Sequence, residues 1–157
     1  MRTIQSENFT KVLFALLDET FDTIHGFYLD RNASMFATLA NITADEASIP
    51  VGGKCGTLAA QVKHVAFHLD YIEKYFSDPN PPQADWGEIW RTVHRVTPEE
   101  WRSIQSELRT NYNRILKLFK TAPDWISEYE IGTALAVVVL TAYHLGVIRQ
   151  ALCSLRT

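Results

Sequence analysis

Apolar residues recur at three- and four-residue intervals in four long stretches of the chain, at about residues 7–25, 57–79, 98–122 and 128–155. Side chains at this spacing lie on one face of an α-helix, so each stretch predicts a helix with a buried side. No stretch alternates between apolar and polar residues over the length of a strand. The pattern therefore predicts an all-α protein with four long helices.

Two signals mark where helices begin. Thr97, Pro98 and Glu100 have the spacing of a capping box with proline in the first turn, which predicts the start of the third long helix. Asn32 is placed to cap a short continuation of the first helix that ends at Leu39. Both signals are local, because a capping side chain bonds to backbone only a few residues away.

The connections between the stretches complete the predicted fold. Residues 42–56 contain one proline and three glycines, which exclude a continuous helix there. Residues 85–90 hold two tryptophans four positions apart and predict a short aromatic helix over one end of the protein. We therefore predict one domain over residues 1–157, a four-helix bundle with a short extra helix between the second and third long helices.

The last helix is the most apolar part of the chain. Its apolar segment from Ile131 to Ala142 is about a dozen residues long and leads into His144 and Arg149. A membrane-spanning helix needs about 20 apolar residues, so the segment predicts a buried core helix and no membrane association. Residues 135–140 are apolar on nearly every side, which predicts cover from neighbouring helices on both flanks or from a second subunit.

Composition and charge narrow the classes of partner. The 157 residues are 46% hydrophobic and 21% charged, with a net charge of −3, and the basic residues are scattered. Without a basic cluster there is nothing to neutralise a row of phosphates, so no nucleic-acid partner is expected. The N-terminus has no apolar signal segment, and Cys55 and Cys153 form no Cys-x-x-Cys pattern. These features predict a cytoplasmic protein with reduced cysteines.

The histidines are the residues most able to carry chemistry. His64 and His68 lie one turn apart in the second long helix, and His144 lies in the middle of the last one. Two imidazoles on one helix face have the spacing to share a metal ion. A histidine in a core helix is more often only hydrogen-bonded, and His68 has the alternative of facing solvent. By spacing alone, these plainer interpretations are favoured.

Several segments resemble one family. Residues 141–152 read TAYHLGVIRQAL, residues 61–66 read QVKHVA, and Asp-Trp at 85–86 is followed by VTPEEW at 96–101. In this order they resemble the DinB/YfiT-like superfamily. The resemblance implies a four-helix bundle, often a homodimer, with a divalent ion such as zinc or nickel held by three histidines.

Carried over residue by residue, the resemblance gives an incomplete metal site. His64 and His144 occupy two of the family's ligand positions, and the third position falls on Leu140, which cannot bind a metal. His68 is the residue best placed to supply the missing ligand, with Gln61 as a weaker alternative. The resemblance implies a metal-dependent thiol S-transferase or hydrolase that acts on a small molecule or a thiol. The alternative is a non-catalytic dimeric bundle that has lost the metal and binds a small apolar ligand or a protein partner.

The remaining candidates have a functional and a structural interpretation each. Arg149 would anchor an anionic group near the site, or pair with a carboxylate, which we favour. Tyr143 would line a ligand pocket, or belong to the core. Glu19 and Asp22 would form an acid pair on the first helix, although a solvated face is the simpler expectation. Gly146 is expected to permit close helix packing, since glycine otherwise costs about 1 kcal/mol in a helix. No catalytic residue is assigned.

Overall fold

The chain is all helical in the computed structural model, which describes residues 5–77, 80–122, 125 and 127–156. The described part has seven helices and no strand beyond an isolated bridge between Pro50 and Thr57. The predicted all-α class is therefore confirmed. The helices are α1 (Ser6–Phe21), α2 (Met35–Leu39), α3 (Ala44–Ala47), α4 (Leu58–Ser77), α5 (Glu88–Thr92), α6 (Pro98–Thr121) and α7 (Glu128–Leu155).

Helix α4 is the centre of the packing, because it lies against both α6 and α7, while α1 packs against α7 and α2. Helices α4 and α7 run antiparallel. Gln61 near the start of α4 bonds to His144 in the second half of α7, whereas Tyr75 near the end of α4 contacts Tyr129 at the start of α7. This antiparallel register decides which side chains of the two helices meet.

Side-chain caps fix the starts of α3, α6 and α7. In the described residues, three capping boxes are formed, each between a Ser or Thr and a Glu three residues later: Thr43–Glu46, Thr97–Glu100 and Ser127–Glu130. Each box satisfies backbone N–H groups that a helix leaves without a partner at its start. The box at the start of α6 was predicted, and the other two have the same sequence spacing.

Helix α1 ends at Phe21 rather than at the predicted His25. The chain then turns back, and the carboxylate of Glu19 accepts hydrogen bonds from the backbone N–H groups of His25, Phe27, Tyr28 and Leu29. Glu19 is 0% exposed. The expectation of a solvated acid pair is therefore wrong for this residue, because its carboxylate organises the loop that follows α1.

Asp22, the other member of that pair, binds Arg109 of α6 through two hydrogen bonds of 2.6 and 2.8 Å. The prediction that Asn32 caps the next helix is also wrong. Asn32 has a φ of 60°, the left-handed conformation of a turn, and Ser34 takes the N-cap position of α2. A cap two residues later shortens the predicted continuation but keeps its end at Leu39.

Helix α7 is covered on only one flank within the chain. Its buried residues face α4 and α1, but Leu135, Val139 and Tyr143 are 41%, 66% and 67% exposed. By length and composition alone the helix is apolar enough to cross a membrane, and 44% of its most apolar window is buried. Core helices of soluble proteins meet the same criteria. Cover by neighbouring helices on both flanks is absent from the described part of the single chain, and the predicted alternative, cover from a second subunit, stays a prediction.

The expected role of Gly146 is wrong. It is exposed, and a Cβ added there would meet nothing within 4 Å, so it does not serve close packing between helices within this chain. Cys55 and Cys153 are both exposed free thiols.

Candidate functional site

The antiparallel packing of α4 and α7 brings three histidines to one place. His64 and His68 lie one turn apart on α4, and His144 meets His64 from α7. The ring centroids of His64 and His144 are 4.9 Å apart. His68 and His144 are 8% and 6% exposed. We call His64, His68 and His144 the histidine cluster.

His144 is held in one orientation by Gln61. The Nδ1 atom of His144 lies 2.6 Å from Oε1 of Gln61, and both side chains are buried. An amide oxygen only accepts hydrogen bonds, so Nδ1 carries the proton and the lone pair is left on Nε2. This is the arrangement in which a second group fixes the tautomer of a metal-binding histidine. Gln61 therefore orients the imidazole of His144 through this hydrogen bond.

The other two imidazoles are left incompletely bonded. The Nδ1 atoms of His64 and His68 are buried and have no hydrogen-bonding partner among the described residues. The hydroxyl of Thr141, which lies one turn before His144, is in the same condition. A buried polar atom without a partner costs about 1–3 kcal/mol, so such atoms are rare in native proteins. Three such atoms lie on these two packed helices, where a bound water or ligand atom would satisfy them.

All three imidazoles are held in the neutral form. Burial lowers the pKa of His64 below its usual value. Burial and the neighbouring His64 lower the pKa of His68 to about 4. Burial, followed by repulsion from His64 and His68, lowers the pKa of His144 to about 4. Neutral imidazole is the form that binds metal ions and accepts protons, so the cluster is chemically ready for either role at pH 7.

Two tryptophans form a wall beside the cluster. The ring of Trp90 lies 4.9 Å from His64 and 6.3 Å from His144, and that of Trp86 lies 6.1 Å from both His64 and His68. Trp90 reaches this position because Gly56 has no side chain: a Cβ there would lie 2.8 Å from Cε3 of Trp90. The predicted aromatic segment thus covers the histidines.

The cluster fits a metal ion in donor chemistry and in one distance, but it is not a complete site. Two imidazoles that share a tetrahedral zinc ion at about 2.0–2.1 Å have ring centres roughly 5 Å apart, close to the spacing of His64 and His144. In the described part of the chain, however, no three His, Cys, Asp or Glu side chains are arranged to hold a metal together. Leu140, the residue at which the resemblance would place a third ligand, is half-buried and packs against the core.

Of the two ligand-binding candidates on α7, Tyr143 lies at the edge of the cluster and Arg149 lies away from it. Tyr143 is mostly exposed, and its ring meets that of His144 edge-on at 5.1 Å. Arg149 donates a hydrogen bond of 3.3 Å to the hydroxyl of Thr38 and lines a separate cavity of about 440 Å³ with Asn41. The favoured pairing of Arg149 with a carboxylate is absent among the described residues. Arg149 follows His144 by five residues, which turns it away from the cluster.

An open groove of about 430 Å³ begins at His68 and runs between α4 and α7. We call it the aromatic groove, because four rings line it with one carboxylate: Tyr71, Tyr75, Trp86, Tyr129 and Glu128. Three of these rings come from residues that the sequence analysis did not select. The signal for two of them was available, since Tyr71 and Tyr75 continue the one-turn spacing just beyond His68.

Comparisons of the chain with protein-family models, with curated proteins and with solved structures gave no match.

Proposed function

We propose that the four long helices form a bundle of the DinB/YfiT-like kind and that the histidine cluster is its metal site. The support is the resemblance of the sequence segments together with the positions of their histidines. His64 and His144, which occupy two of the family's ligand positions, face each other across α4 and α7.

The metal in this proposal is a divalent transition ion such as zinc or nickel, held by His64 and His144 with His68 as the third imidazole. The single observation that carries the proposal is the pair of buried Nδ1 atoms without a partner, at His64 and His68, beside a third imidazole that is already oriented. A bound ion would remove the cost of leaving these atoms unbonded. Imidazole is also a preferred ligand of zinc and nickel.

The proposed activity is thiol S-transfer or hydrolysis on a small molecule. When bound, such an ion supplies a Lewis acid that lowers the pKa of a thiol or water toward neutrality. The chain's own residues would do the rest. Gln61 keeps Nε2 of His144 available, Trp86 and Trp90 limit the access of water, and the aromatic groove gives a small molecule a route to His68.

A second candidate function is a non-catalytic binding protein that has lost its metal. Leu140 favours it, because this side chain adds core packing at the family's third ligand position. The close stacking of Trp90 on the histidines favours it as well. In this case the cluster is the polar end of a ligand pocket, and the unbonded imidazole nitrogens receive their hydrogen bonds from the ligand.

Cobalt titration separates the two functions. Co²⁺ replaces zinc in such sites and gives visible absorption bands that are strong when the ion is four-coordinate. We expect saturable binding by the native chain, loss of at least tenfold in affinity in His144→Ala, and no change in His94→Ala, a variant of an exposed histidine outside the cluster. No saturable binding by the native chain would leave the non-catalytic function.

Restoring the family's third ligand sharpens this test. We expect Leu140→His to bind Co²⁺ at least tenfold more tightly than the native chain, because it adds an imidazole at the family's own third ligand position to the histidines already present. Leu140→Met, which keeps an apolar side chain of similar volume, is the matched control and should bind as the native chain does. If Leu140→His gains nothing, position 140 does not face the cluster and the family's site does not apply.

We also propose a homodimer in the cytoplasm, formed through the exposed face of α7. Its support is the row of apolar side chains at Leu135, Val139 and Tyr143, which a second copy would cover. Light scattering of the purified protein should give twice the mass of the chain, and Val139→Glu should give the monomer mass. A native protein that is recovered only from the membrane fraction would contradict this proposal.

A further inference from the structure

The aromatic groove is built by rings from three separate elements. Tyr71 and Tyr75 lie one turn apart on α4 with nearly parallel rings, 5.9 Å between centroids. Trp86, from the segment before α5, meets Tyr71 edge-on at 4.9 Å. Tyr129, at the start of α7, lies 5.0 Å from Tyr75. The four rings thus form a continuous aromatic lining along the groove.

The charges around the groove are negative. Glu128 is one of its lining residues, and Glu130 lines an adjoining cavity of about 320 Å³ that shares Tyr75 and Tyr129 with the groove. No lysine or arginine belongs to the described lining of either cavity. The nearest basic residue along α4, Lys74, is paired with Asp70 at 2.5 Å.

Sealing the core does not account for this arrangement. Trp86 and Tyr129 are 40% and 44% exposed, so a large part of each ring surface is available to a ligand. The face of an aromatic ring carries negative electrostatic potential and attracts a cation within about 6 Å. A carboxylate beside several such rings is the combination that recognises alkylated ammonium groups. A neutral apolar ligand would use the rings but gain nothing from Glu128.

We propose that the aromatic groove binds a small organic cation that carries an alkylated ammonium group. The ammonium group packs against the tyrosine and tryptophan faces and is neutralised by Glu128. This site is separate from the metal proposal, because none of the four rings or Glu128 is a metal ligand in it. The two sites adjoin at His68 and at Trp86, whose ring lies beside the histidines and also lines the groove.

Choline and its neutral analogue 3,3-dimethylbutan-1-ol test the proposal, since they share one shape and differ in charge. Titration calorimetry should give a dissociation constant for choline in the millimolar range. The protein should bind choline at least fivefold more tightly than the analogue. Equal affinity for the two compounds, or no saturable binding of choline, would overturn the proposal.

Two variants locate the binding to the groove. Tyr129→Leu should weaken choline binding by about fivefold, and Glu128→Gln by about two- to fivefold with a smaller dependence on salt. Phe27→Leu is the matched control, because Phe27 is an exposed aromatic residue outside the groove, and it should bind choline as the native chain does. Circular dichroism checks that each variant is folded. Full affinity in folded Tyr129→Leu and Glu128→Gln would place choline elsewhere and contradict the proposal.

His144→Ala separates this proposal from the metal site. The groove does not include His144, so this variant should keep its affinity for choline while it loses cobalt. Choline binding should also be the same with and without added metal. Loss of choline binding when the metal is removed would overturn the claim of a separate site.

Discussion

Two buried polar regions of this protein differ in whether their polar atoms have partners. The carboxylate of Glu19 accepts four backbone N–H groups at 2.6–2.9 Å and is completely enclosed. In the histidine cluster, by contrast, the Nδ1 atoms of His64 and His68 are buried without a partner in the described chain. Only His144 has a hydrogen bond at Nδ1, to Gln61.

The difference separates a structural group from a candidate site. Burial raises the pKa of Glu19, but the four backbone hydrogen bonds outweigh burial and bring the pKa down to about 2. The carboxylate therefore stays charged and bonded. It has no capacity left for a ligand. The histidines are neutral and keep unused nitrogen atoms, which is a state that costs stability unless something binds there. The first region stabilises the fold, and the second is available for function.

The largest effect is expected from Glu19→Gln. Losing the charge weakens several hydrogen bonds at once and places an amide donor where only acceptors fit, so the free energy of unfolding should fall by about 3 kcal/mol. Urea denaturation at pH 7 measures it, with Glu7→Gln, an exposed residue of α1, as the control. A loss below about 1 kcal/mol would show that the backbone bonds of Glu19 do not hold the loop.

The two regions should lose stability in different pH windows. In metal-free protein, His68 and His144 have pKa values of about 4, below the usual 6.5, so the unfolded chain takes up protons first. Above pH 6.5 the titration of these histidines does not lower the free energy of unfolding. As the pH drops from 6.5 toward 4, the free energy of unfolding falls by up to about 1.4 kcal/mol per pH unit for each histidine.

The contribution of Glu19 is full above pH 4.5 and is lost as the pH drops toward 2. Urea denaturation at several pH values, with a chelator present, resolves the windows. His68→Leu should flatten the upper window and leave the lower one unchanged. An unaltered slope between pH 6.5 and 4.5 in this variant would mean that His68 is not held neutral.

A smaller effect is expected at the tryptophan wall. In Gly56→Ala the new Cβ would lie 2.8 Å from Cε3 of Trp90, so the indole must move and stability should fall by about 1–2 kcal/mol. Gly146→Ala is the matched control, because nothing lies within 4 Å of a Cβ there, and it should be neutral or slightly stabilising. Equal stability of the two variants would show that Trp90 does not pack against Gly56.

The smallest effect has the opposite sign. His68→Leu removes an unbonded buried nitrogen and replaces it with an apolar group, so metal-free protein should be about 1 kcal/mol more stable at pH 7, or unchanged. Thermal unfolding in the presence of a chelator measures this change. A marked loss of stability would show that His68 has a structural partner and would weaken the contrast with Glu19.

The sequence alone predicted the positions of the helices better than it predicted the contacts between residues. Apolar spacing and the capping box at Thr97 predicted the start of α6, and the start of α7 was predicted from apolar spacing. The boxes at Thr43 and Ser127 were available to the same reasoning. The role of Glu19 was not accessible, because its partners are backbone groups of a loop whose path no side-chain pattern encodes. The early end of α1 has the same cause.

For the candidate site, spacing and resemblance selected His64, His68 and His144, and in the structure His144 meets His64 with His68 one turn further along α4. Whether they bind a metal stays a prediction. The aromatic groove could not be predicted, because Tyr75 and Tyr129 meet only through the antiparallel register of α4 and α7. That register depends on how the two helices rotate against each other, which periodicity does not fix.

Elemental analysis of the protein, purified without an affinity tag or a chelator, tests the central claim most directly. The account predicts zinc or nickel near one equivalent per chain, lost in His144→Ala and kept in His94→Ala. Metal far below one equivalent in the native chain, unchanged in His144→Ala and not restored by added ions, would contradict it.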